Sequence, residues 1–109
     1  MELKFKLWLE NNKGELVIGE GILNLLNTIK KNGSISEASK ELDMSYRAAW
    51  GKLKKVEDRL GYKLVERKTG GIGGGGTNLT EKGEILLDKF DKINEETQKA
   101  IMEIYNKYF

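Results

Sequence analysis

Apolar and polar residues alternate at the start of this chain, and then the period changes. Leu3, Phe5, Leu7 and Leu9 alternate with Lys4, Lys6 and Trp8, which predicts a strand with one buried face over residues 3–9. Asn11-Asn12-Lys13-Gly14 is a turn signal, and Glu15 to Ile18 fits the returning strand of a hairpin. From Glu20 to Lys31 the pattern becomes helical, with Ile22, Leu25, Leu26 and Ile29 three and four residues apart. Asn32-Gly33 ends that helix, Gly33 being able to take the left-handed conformation beyond the last turn.

Two closely spaced helices are predicted next. Ser36 is the expected cap of a short helix from Glu37 to Leu42, and Asp43-Met44 forms a tight link. Ser45 caps a second helix reaching about Leu60, which Gly61 stops. Leu64 to Arg67 reads as a short strand, Thr69 to Thr77 as a glycine-rich loop, and Asn78-Leu79 as the strand that closes it. Thr80 caps a last helix with no breaker before Phe109, about 43 Å long at the α-helical rise. The expected fold is therefore mainly α with a little β. Residues 1–80 form a winged helix-turn-helix with an N-terminal hairpin, and residues 81–109 form a long dimerisation helix of the same unit.

The second helix of the pair carries the candidate chemistry. Ala49, Leu53, Val56 and Leu60 make its core stripe. Tyr46, Arg47, Trp50, Gly51 and Lys54 fall away from that stripe. A helix-turn-helix lays the start of its second helix in the DNA major groove. There Arg47 can pair with guanine or a phosphate, Tyr46 can donate to a phosphate, and Trp50 can press on thymine methyls or sugar. Gly51 lets the backbone approach closely. Ser36 and Ser45, at helix starts, stand where free N–H groups favour a phosphate. Plainer readings remain open: the serines as caps only, Trp50 half-buried against the first helix, and Lys52, Lys55 and Arg59 as a solvated flank.

The glycine stretch fits neither common phosphate-cradling motif. No Lys follows the glycines as a P-loop requires, and no βαβ unit surrounds them. Next to a reading helix it suits a wing, in which Arg67, Lys68, Thr69, Gly70 and Gly71 lie along the phosphate backbone. The alternative is a flexible linker.

Charge sharpens this picture. The 109 residues carry a net charge of only +2. Residues 45–68 nevertheless hold eight basic and three acidic side chains, and none of the segments 1–44, 69–79 and 80–109, each taken whole, has a basic surplus. A local basic surface on a near-neutral chain is the footprint of a nucleic-acid contact, or of a solvated face. The chain has no Cys and no His, so thiolate or imidazole metal sites and the usual nucleophile–base pairs are excluded. No cofactor is expected, and an enzyme is disfavoured. The N-terminus does not read as a signal peptide, and no apolar run would span a bilayer. A cytoplasmic protein with no membrane contact is expected.

With these residues in view, Ser34 to Leu42 followed by Met44 to Trp50 resembles the helix-turn-helix of LysR-type regulators. It resembles that of ModE-type molybdate-responsive regulators more closely. The wing from Leu64 through the glycine run to Thr80 is similar to the same ModE-type DNA-binding domain. The resemblance implies a dimeric domain that binds double-stranded DNA. In full-length members the oxyanion is held by small C-terminal barrel domains, and these residues show no counterpart, so molybdate binding is not implied. A separate polypeptide is one candidate source of sensing. A protein-interaction winged helix without base-specific DNA binding is the alternative function.

The last helix supports a homodimer independently. Leu86, Phe90, Ile93, Thr97, Ala100 and Ile104 follow alternating steps of four and three, the spacing of a coiled-coil seam.

Overall fold

The structure is a computed structural model that describes residues 1–68 and 76–109. Its elements run β1 (Leu9–Glu10), β2 (Leu16–Ile18), α1 (Glu20–Asn32), α2 (Ile35–Glu41), α3 (Tyr46–Leu60), β3 (Val65–Lys68), β4 (Gly76–Leu79) and α4 (Glu81–Tyr108). The described strands pair as two antiparallel hairpins, β1 with β2 and β3 with β4. In the second, Val65 faces Leu79 and Lys68 faces Gly76. The winged helix-turn-helix architecture expected from the sequence is present.

One core joins these elements. Ile22, Leu25, Leu26 and Ile29 of α1 are buried at its centre, against Ile35 and Ala38 of α2 and Ala49, Leu53 and Val56 of α3. Leu64, Val65 and Leu79 bring the second hairpin onto it, and Leu87 and Phe90 bring the first turns of α4. The apolar stripes read from the helical period are the buried faces, because removing apolar surface from water is the dominant driving force for folding a chain this small. Gly33 and Gly61 both take left-handed φ values, 70° and 79°, and their N–H groups close the last turns of α1 and α3 on Ile29 O and Glu57 O.

The N-terminal segment departs from expectation. Only Leu9 and Glu10 are strand; Leu3 and Phe5 are 46% and 39% exposed, so residues 3–9 have no continuous buried face. The partner is too short. β2 spans three residues before Gly19 and α1 begin, and a strand that outruns its partner has no ladder to join. The segment instead reaches α4, where Tyr105 Oη donates to Met1 O at 2.9 Å.

The capping of α2 is also corrected. Ser34 holds the cap position, its Oγ accepting from the Glu37 N–H at 3.1 Å, and the helix starts at Ile35. Ser36 is an exposed first-turn residue whose carbonyl accepts from Ser39 Oγ. The Ser-x-x-Glu spacing of Ser34 and Glu37 is the signal that distinguishes the two serines.

Helix α4 behaves as two halves. Phe90, expected on the dimer seam, is only 1% exposed and belongs to its own core, and Leu86 packs partly against that core. The first turns of α4 cover the domain through Leu86, Leu87 and Phe90, so these positions are already used. Ile93, Ala100 and Ile104 remain exposed beyond them. With 28 residues, α4 is about 42 Å long, and it draws the molecule out to 56 × 30 × 24 Å. No described helix is long and apolar enough to cross a membrane.

Candidate nucleic-acid interface

The helix-turn-helix is held by backbone hydrogen bonds through a very short link. Asp43 takes φ 54°, a left-handed conformation that Asp tolerates because of its short polar side chain. This turns the chain so that Asp43 N–H donates to Lys40 O and Met44 N–H to Ser39 O. Ser45 then caps α3, its Oγ accepting from the Ala48 N–H at 3.0 Å, as the sequence predicts. A hydroxyl that accepts still has its own proton to donate. Ser45 is exposed, so that donor is available to an outside acceptor.

The three faces of α3 have different surroundings. Arg47, Gly51, Lys54 and Asp58 recur at steps of four, three and four directly opposite the Ala49–Leu53–Val56–Leu60 stripe, and all four are exposed. Lys54 Nζ and Asp58 Oδ1 are 3.6 Å apart. Tyr46 and Trp50 do not share this outward face; they lie on one flank, in line with the buried Glu57. Trp50 is half-buried against the core and meets Tyr46 edge-on, with ring centroids 6.4 Å apart. Lys52, Lys55 and Arg59 make the other flank.

Gly51 is the informative position of the outward face. A glycine inside a helix costs about 0.5–1 kcal/mol relative to alanine. At two other positions without positive φ this chain gives an internal reason for a glycine. A Cβ on Gly83 would overlap the Leu64 carbonyl, and one on Gly76 would overlap the Gly33 carbonyl. At Gly51 a Cβ would meet nothing within 4 Å. Packing among the described residues gives no reason for glycine there.

The second hairpin is anchored beside α3 by a residue that no sequence pattern singles out. Glu57 is buried, and its Oε2 accepts from the Leu64 N–H at 2.7 Å and the Val65 N–H at 3.3 Å. The hairpin's other strand is fixed by Thr77 N–H donating to Gly33 O at 2.8 Å, and the start of α4 by Thr80 N–H donating to Leu64 O at 2.9 Å. Thr80 also caps α4, accepting from the Gly83 N–H. Arg67 and Lys68 are exposed on this braced strand. Thr69, Gly70 and Gly71, named as wing contacts from the sequence, lie outside the described residues. The described residues contain no cluster of acidic side chains able to hold a metal ion.

A capped second helix, a braced basic hairpin beside it and a cationic outward face define a winged-helix nucleic-acid-binding domain of the helix-turn-helix class. The family model for the bacterial regulatory helix-turn-helix protein, lysR family, matches residues 22–84, and the chain belongs to that family. It is 40% identical over 78 residues to the DNA-binding transcriptional dual regulator ModE of Escherichia coli (strain K12), covering 72% of this chain and 30% of that protein. It is 40% identical over 82 residues to the transcriptional regulator ModE of Haemophilus influenzae, covering 75% of this chain and 32% of the relative. The chain thus spans about a third of the length of these relatives. Among solved structures, the CbnR DBD–DNA complex has the same fold, with a TM-score of 0.60 at 21% identity over 80% of this chain and 94% of that one.

Proposed function

We propose that this chain binds double-stranded DNA in a sequence-dependent way and regulates transcription, working as a homodimer. The observation that carries the reading is the outward face of α3. Arg47 and Lys54 flank a glycine that no internal contact requires, at the point where a helix in the major groove comes closest to base edges. In this reading Arg47 contacts base edges and Lys54 a phosphate or a base. The free Ser45 proton, Arg67 and Lys68 position the backbone. Tyr46 reaches a phosphate from the flank, and Trp50 supports it from a half-buried place. The half-burial of Trp50 also weighs against a protein-docking role, which needs that ring free. The ModE relatives are named as transcriptional regulators, and that agrees with the proposal.

The homodimer rests on the outer half of α4. Ile93 and Ile104 are exposed, 43% and 56%, along one stripe with Ala100, on a helix that outreaches its own domain. A two-fold pair would set two α3 helices about 34 Å apart, one duplex turn, and predicts a pseudo-palindromic site. Ile93→Glu/Ile104→Glu should shift the mass seen by light scattering from dimer to monomer while the circular dichroism stays helical. An unchanged dimer would remove α4 as the interface.

DNA binding is tested by selecting sequences from a random duplex pool, then titrating the winner and a scrambled duplex by fluorescence anisotropy at several salt concentrations. The selected duplex should bind more tightly, with log affinity falling linearly in log salt. Equal affinity for both duplexes would sink the sequence-dependent reading.

A further inference from the structure

The first hairpin flanks α3 on the side opposite the wing. Val17 and Ile18 of β2 are buried in the core with Leu53 and Val56 of α3, and Arg59 ties the two together: its Nη1 donates to Leu16 O at 2.8 Å, and its Nε lies 3.6 Å from Glu15 Oε2. The turn at the hairpin tip is rigid in its own right. Asn11 Oδ1 accepts from the Lys13 and Glu15 N–H groups at 2.9 and 3.0 Å, Asn11 Nδ2 donates to Glu15 Oε1 at 3.0 Å, and Gly14 takes φ 78°. The tip and the flank of α3 enclose a shallow cleft lined by Asn11, Asn12, Lys13, Lys55, Asp58 and Arg59, together with Glu15.

The charges of this cleft do not cancel. Its two carboxylates are engaged, Glu15 with Arg59 and Asp58 with Lys54. Among the described residues, Lys13, Lys52 and Lys55 form no ion pair, and all three are exposed. Lys13 and Lys55 carry the surplus inside the cleft, and Lys52 adjoins it on the same flank of α3.

A helix lying in the major groove has two flanks, and each faces the phosphates of a different strand. The β3–β4 wing, with Arg67 and Lys68, serves the Tyr46–Trp50–Glu57 flank. We infer that the β1–β2 hairpin is a second wing: Lys13, Lys52 and Lys55 bind phosphates of the strand opposite the one the β3–β4 wing holds. This rests on the DNA-binding reading above. It adds a contact surface, built from the N-terminal hairpin and the far flank of α3, that clamps both strands around the reading helix. Phosphate contacts fix register and orientation and carry no sequence information of their own.

The test compares the unaltered protein with Lys13→Ala/Lys52→Ala/Lys55→Ala. The comparison variant, Lys89→Ala/Lys99→Ala/Lys107→Ala, removes the same charge from α4. Anisotropy titrations of the selected and scrambled duplexes across a salt series give the slope of log affinity against log salt. Each lost phosphate contact should reduce that slope by about 0.9. The hairpin variant should therefore lose roughly 2.7, equally on both duplexes and with their affinity ratio kept, while the α4 variant keeps the full slope. Ethylation interference should lose protected phosphates on one strand within each half-site, the two half-sites being related by the two-fold axis. A full slope in the hairpin variant, or an equal loss in the α4 variant, overturns the second wing and leaves DNA binding standing. A collapsed affinity ratio would make these lysines base readers and overturn it as stated. Failure of the unaltered protein to bind either duplex overturns both readings.

Discussion

Helices α3 and α4 leave the same core, and each carries a glycine within it, yet the two glycines answer to different neighbours. Gly83 sits where α4 crosses the second hairpin, and its missing Cβ makes room for the Leu64 carbonyl. Gly51 sits on the face of α3 that no described residue covers. The first is required by the fold. The second weakens the helix with no compensating contact among the described residues, as the proposed close approach of DNA would require. α4 divides the same way along its length: Phe90 closes its own core, and Ile93 and Ile104 lie beyond it. A buried residue and an exposed apolar one can therefore occupy the same helix and share the same period.

That contrast can be broken by substitution. The largest effect is expected at Phe90→Ala, which deletes a fully buried ring and should cost about 3–5 kcal/mol in chemical denaturation. A loss under about 1 kcal/mol would return Phe90 to the exposed stripe, because only an unpacked ring is removed so cheaply. Gly83→Ala comes next. The added methyl must displace backbone, so a loss of about 1–3 kcal/mol is expected in the same measurement. Arg47→Ala should leave folding untouched and reduce discrimination at one base position by about 1–3 kcal/mol, read from competition between duplexes differing at that position. Uniform weakening on every duplex would reassign Arg47 to a phosphate. Gly51→Ala has the smallest effect and the most telling sign. It should stabilise the fold by about 0.5–1 kcal/mol while weakening the selected duplex. A variant that is more stable and binds equally well would show that nothing approaches that face closely.

The sequence shows much of the frame directly. The stripes of α1 and α3, the left-handed glycines after them, and the Ser45 and Thr80 caps are all local signals, and each appears where its spacing places it. The cap of α2 was legible too, through Ser34 and Glu37, but adjacent serines compete for the same role. The reading face was legible only in part. Period alone gathers Tyr46, Arg47, Trp50, Gly51 and Lys54 on the non-core side, but the depth of Trp50 depends on what packs beside it. The N-terminal alternation misled for a related reason. Alternation reports which way side chains can point and says nothing about whether a partner strand is long enough to pair.

What the sequence determined by itself is the set of elements and their order, because helix periods, caps and turns depend on residues within a few positions of one another. The tertiary structure decided which exposed-looking residues are taken. Glu57 became the anchor of the wing only when the chain turned at Gly61 and brought the Leu64 and Val65 N–H groups back to it. Phe90 left the dimer stripe only because the domain was there to bury it. The first hairpin came to stand beside α3 through Val17 and Ile18, buried in the shared core, and through Arg59, which reaches across to Leu16 from far along the chain. These contacts join residues whose separation in sequence carries no periodic signal, so they exist only once the core has brought them together.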